Sequence, residues 1–66
     1  MFKIEFKTGG EAFRDPMNGK EDFFYESIEI VRILDNIKDA INCNVKQGNC
    51  IDKNGNIVGK WSVENE

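Results

Sequence analysis

Histidine is missing altogether from this 66-residue chain, and with it the commonest acid–base catalyst and the usual near-neutral pH switch. Cysteine is nearly as scarce. Cys43 and Cys50 are the only two, so a tetrahedral zinc site would need a second chain or two carboxylates to complete it. A catalytic thiolate would need an activating base, and no histidine exists to be one. No apolar run approaches the roughly 20 residues that span a bilayer, and nothing near Met1 resembles a secretory signal. The expected setting is therefore the reducing cytoplasm with both thiols free, although a Cys43–Cys50 disulfide is geometrically conceivable. No nucleotide-binding loop and no catalytic signature occurs either. These absences exclude most enzyme classes and lead to an expectation of a non-enzymatic protein that uses no cofactor and no metal.

A chain this short forms one domain and buries only about 60% of its unfolded surface, so every large apolar side chain counts. Nine Lys plus Arg stand against twelve Asp plus Glu, a formal net charge of −3. That balance favours solubility and argues mildly against bulk nucleic-acid binding.

One stretch, 23–43, is long and periodic enough to be a helix. At 100° per residue Phe23, Ile30, Leu34, Ile37 and Ile41 fall on one line, flanked by Val31 and Phe24 on one side and by Ile33 and Ala40 on the other. The opposite side carries Tyr25, Glu26, Glu29, Arg32, Asp35, Asn36 and Asp39, which water can solvate. Asp22 is placed to cap the start, and Asn42 and Asn44 tolerate the left-handed geometry that stops helices.

Three strands surround it. Segment 2–7 alternates, with Phe2, Ile4 and Phe6 on one face and Lys3, Glu5 and Lys7 on the other. After the helix, 45–63 reads as a hairpin whose turn is Asp52-Lys53-Asn54-Gly55-Asn56, with Gly55 in the left-handed region. In its second strand Ile57, Gly59, Trp61 and Val63 are expected to face the helix, while Val58, Lys60 and Ser62 look out. The predicted fold is α+β, a β-α-β-β chain. Its three-stranded antiparallel sheet has order 1-3-2, and one helix packs across one face. The polar stretch 8–22 is long for a connection in so small a domain, and Phe13 within it is expected to fold back over the helix start.

Two surfaces are candidates for contact. The solvated helix face, with Tyr25, Glu26, Glu29, Arg32, Asp35 and Asp39, forms an acidic strip suited to a protein partner. The outer sheet face, with Lys3, Lys7 and Lys60 and with Lys46 beside them, is basic and suited to phosphate contact, although it lacks aromatics on which bases could stack. The same lysines also read as guards against edge-to-edge aggregation. Phe13, Phe24, Tyr25 and Ile28 exceed what one helix stripe can bury, which leaves an exposed apolar patch as an alternative to a folded-back loop. Asp52-x-Asn54-x-Asn56 echoes a calcium loop, but Ile57 and Val63 stand where the turn glycine and the bidentate glutamate belong.

The run Asp52-Lys53-Asn54-Gly55-Asn56-Ile57-Val58-Gly59-Lys60-Trp61, with Ala12-Phe13-Arg14-Asp15 and Ile30-Val31-Arg32-Ile33-Leu34, resembles a group of small uncharacterised proteins encoded on phages, plasmids and conjugative elements of Gram-positive bacteria. The resemblance covers most of the chain and implies a bacterial cytoplasmic accessory protein with no known activity. The expectation that follows is an interaction module docking an unknown protein through the acidic helix face and the long loop, with a nucleic-acid-binding accessory domain as the alternative. No membrane partner is expected, and the chain should be a monomer or a weak dimer.

Overall fold

Asp22 starts the helix as its position predicts: its side chain accepts a hydrogen bond from the Phe24 amide at 2.9 Å. In the computed structural model, which describes residues 1–65, the helix α1 spans Phe23–Asn42. It ends in a Schellman motif: Asn44 is left-handed (φ 63°), its amide bonds the Ile41 carbonyl, and the Val45 amide bonds the Ala40 carbonyl. Two reciprocal bonds satisfy carbonyls that a helix end otherwise leaves open.

Strands β1 (Phe2–Phe6), β2 (Gln47–Ile51) and β3 (Ile57–Val63) form one sheet in the order β1-β3-β2, antiparallel throughout. The α+β architecture read from the sequence is the one observed. Trp61 lies at the centre, with Ile4 opposite on β1 and Gly48 opposite on β2. A Cβ at Gly48 would come within 2.9 Å of the indole Nε1, so the missing side chain is what lets the ring lie flat on β2. Gly59 serves the other contact, since a Cβ there would run into the Glu5 carbonyl and Phe6.

Segment 8–22 has a definite course. A 3₁₀ turn at Glu11–Phe13 buries Ala12 and Phe13, with Phe13 stacked on Phe6 at 6.3 Å. Arg14 and Glu21 then pair as a bridge around a turn in which the Gly19 amide bonds the Asp15 carbonyl. The fold-back of Phe13 is observed, but onto Phe6 rather than over the helix start, where Phe23 and Phe24 stay exposed. It completes a core of Ala12, Phe13, Ile33, Ile37, Cys50 and Trp61.

Two details depart from the sequence reading. The helix meets the sheet along Glu29, Ile33 and Ile37, with Ile30 and Ala40 beside them. That face is turned by roughly 60° from the expected line at 3.6 residues per turn. Phe23, Leu34 and Ile41, expected inside, are exposed. In β3, Ile57 is exposed and Val58 packs against the core, the reverse of the expectation. The ladder slips between Cys50 and Ile51, and strict alternation cannot be carried through such a bulge.

Candidate protein-interaction surfaces

The rotation of α1 has a polar cause. Glu29, expected on the solvated face as a partner-binding residue, is buried at 3% exposure. It accepts from Arg32 Nε at 2.7 Å and Nη2 at 2.9 Å and from the Lys53 amide at 2.7 Å. Arg32 also donates to the Ile51 carbonyl at 2.7 Å. Glu29 and Arg32 therefore tie the helix to the β2–β3 hairpin, and the Glu29 carboxylate is withdrawn from any outside partner, whereas the Arg32 side chain stays 39% exposed. Burial pushes the Glu29 pKa up, but the Arg32 hydrogen bonds, the Lys53 amide and the charges of both cations outweigh it and hold the carboxyl below its usual value. The Glu29 hydrogen bonds in turn raise the Arg32 pKa.

Asp52 anchors the turn beneath. Its Oδ1 accepts from the Asn54 and Asn56 amides, both at 2.9 Å, while Gly55 takes the expected positive φ of 86°. The Asn56 amide foremost, opposed by burial and aided by the Asn56 side chain, the Asn54 amide and the Arg32 charge, keeps its pKa low. Among the described residues no group of three His, Cys, Asp or Glu lies close enough to hold a metal ion. Cys50 is buried and Cys43 exposed, both free thiols, and burial pushes the Cys50 pKa up, away from the reactive thiolate.

Of the acidic strip, Asp35 and Asp39 remain exposed, with Asp35 3.6 Å from Lys38. Tyr25 and Glu26 are half-buried, and the Tyr25 ring meets Phe24 edge-on at 5.1 Å. Next to the acids the solvent side of α1 shows Phe24, Ile28 and Val31, 63%, 54% and 54% exposed. This apolar ridge was only half legible in the sequence. Its signal is the surplus of large apolar residues over what one stripe can bury, while helical periodicity alone places Val31 and Phe24 on the flank of the core stripe.

The outer sheet face carries Lys3 and Glu5 on β1, Lys7 just beyond it, and Lys60 and Ser62 on β3, with Glu5 opposite Lys60. Lys46 falls on the other side. It directly precedes Gln47, which pairs with Ser62 on the outer face, and strand alternation turns its neighbour inward. The basic face is therefore three lysines against two glutamates, since Glu64 lines the same hollow as Lys3, Glu5 and Lys60.

Both surfaces belong to an unusually open molecule. Its accessible surface is 5042 Å², against about 4,300 Å² for a compact 7.6 kDa chain. The radius of gyration is 12.8 Å, against roughly 11 Å for a compact chain of this length. No helix is long and apolar enough to cross a membrane. No protein-family model matches the chain, and neither a curated protein nor a solved structure matches it.

Proposed function

We propose that the chain is a small non-enzymatic accessory protein of a bacterial mobile element that docks a protein partner through the solvent side of α1. The observation that carries this reading is the ridge of Phe24, Ile28 and Val31 running beside the exposed acids Asp35 and Asp39. Large side chains left in water on a helix, with two exposed carboxylates beside them and Lys38 3.6 Å from one of these, have the anatomy of a helix-in-groove contact. The partner that fits is a protein with an apolar groove bordered by lysine or arginine. Affinity capture from host lysate tests this with the wild type beside Val31→Asp and the double variant Asp35→Lys, Asp39→Lys. Loss of one specific captured protein from both variants, with unchanged circular dichroism, is expected. A capture profile that both variants leave intact overturns the reading.

A second reading rests on the outer sheet face, where Lys3, Lys7 and Lys60 gather on one side of the sheet. It expects duplex DNA at low salt to shift the amide resonances of these residues and the shifts to vanish as salt rises. Unmoved resonances at low salt remove it.

A further inference from the structure

The two edges of the sheet are not alike. α1 packs on β2 and on the 3₁₀ turn. On the β1 side, an open groove of about 280 Å³ remains between strand and helix, lined mainly by apolar Phe2, Ile4, Leu34, Ile37 and Ile41, with Lys38 and Asn42 at its helix wall. β1 is also an end strand of the sheet. We propose that a second copy of this chain occupies this edge, pairing β1 with β1 antiparallel about Ile4 to make one continuous two-fold sheet. This surface is separate from the helix ridge, so the proposal stands or falls independently of the partner-docking reading.

The hydrogen-bond directions set which pairings are open. The Lys7 amide donates to the Val58 carbonyl and the Glu64 amide to the Met1 carbonyl, so the odd residues of β1 bond inward to β3. Alternation turns the N–H and C=O of Phe2, Ile4 and Phe6 to the outer edge. Among the described residues no backbone bond outside the sheet ladders reaches these groups. A second β1 can use them only if even residues face even residues, which within Phe2–Phe6 allows centres at Lys3, Ile4 or Glu5. Centring on Lys3 sets lysine against lysine, and centring on Glu5 sets glutamate against glutamate. Only the Ile4 centre uses all three outward residues of each copy and pairs unlike charges, Lys3 with Glu5 of the second copy and Glu5 with its Lys3. On the inner face the same register sets Ile4 against Ile4 and Phe2 against Phe6. The segment FKIEF is thus self-complementary in charge, in side-chain size and in backbone donors.

The one guarding charge on β1 is Lys3, and in this register it meets Glu5 of the second copy. The strand contains no proline, bulge or inward-pointing charge, the other devices that keep exposed strands apart. The opposite edge strand, β2, carries Gly48, and its ladder with β3 slips between Cys50 and Ile51.

Sedimentation equilibrium of the wild type is expected to give twice the 7.6 kDa chain mass. Lys3→Glu, which leaves the Glu5–Lys60 pair of the monomer in place, sets two like-charge pairs across the interface and should weaken the dimer about tenfold or more. An equal mixture of Lys3→Glu and Glu5→Lys chains should regain the wild-type mass as a heterodimer. A half-labelled wild-type sample needs no variant at all: isotope-filtered NOEs between chains are expected from Ile4 to Ile4 and from Phe2 to Phe6. A wild type that stays monomeric to millimolar concentration overturns the proposal. So does a dimer whose interchain NOEs arise elsewhere, or one that Lys3→Glu leaves unchanged.

Discussion

The β2 side of this molecule is closed and the β1 side is open, although both edge strands are five residues long. On the β2 side the helix, the 3₁₀ turn and the hairpin converge. Ile33, Ile37 and Cys50 are buried there, and Glu29 and Arg32, joined to each other by two hydrogen bonds, bolt the helix to the hairpin with two more. On the β1 side Leu34 and Ile41 face Phe2 across a groove. The difference teaches that one buried carboxylate can decide which apolar face of a helix goes inside. Turning α1 back toward Leu34 would strand the Glu29 charge away from its donors, and an unpaired buried charge costs more than several methyl groups gain.

The comparison breaks most severely at Phe13. Phe13→Ala should cost about 3–5 kcal/mol, comparable with the whole stability of a domain this small, and leave the chain unfolded by circular dichroism. Glu29→Ala removes the acceptor of three hydrogen bonds and should cost about 2–3 kcal/mol in urea unfolding. A loss below 0.5 kcal/mol, on the order of an ordinary surface change, would show that the bolt is ornamental. Acid should act in the same direction. Because the folded Glu29 pKa lies below its ordinary 4.5, its contribution is fully present above that value and is lost as pH falls toward the folded pKa. Glu29→Gln should flatten this part of the unfolding profile between pH 5 and pH 3, a window set by the ordinary carboxylate values. Gly48→Ala presses on the indole and should shift Trp61 fluorescence to the red, with about 1–2 kcal/mol lost to the strain of overpacking. The smallest effect belongs to the open side. Leu34→Ala, at a residue 40% exposed, should cost the monomer less than about 1 kcal/mol, and a larger loss at a concentration where the chain is dimeric would sharpen the contrast between the two sides.

Much of the fold was legible because it rests on local signals. Alternation in Phe2–Phe6, the Asp22 cap, the Asn44 stop and the Asn54-Gly55 turn each depend on a few neighbouring residues, and each appears where the sequence put it. The antiparallel order β1-β3-β2 followed from placing Trp61 in the centre. The candidate surfaces were less legible. Glu29 at helical spacing looks like Glu26 or Asp35, and nothing local marks it as the acid that the Lys53 amide will meet 24 residues later. Val58 is misread because the ladder slips between Cys50 and Ile51, whereas Lys46 falls inward by plain alternation from Gln47.

By itself, then, the sequence determined the elements, their caps and turns, their order in the sheet and the lack of histidine chemistry, since these depend on short-range backbone preference and composition. The tertiary structure alone decided the rotation of α1, the commitment of Glu29 and Arg32 to the hairpin, and the apolar groove left open beside β1. Those outcomes turn on pairing a buried charge with donors distant in the chain, a long-range electrostatic constraint that overrides the local hydrophobic period.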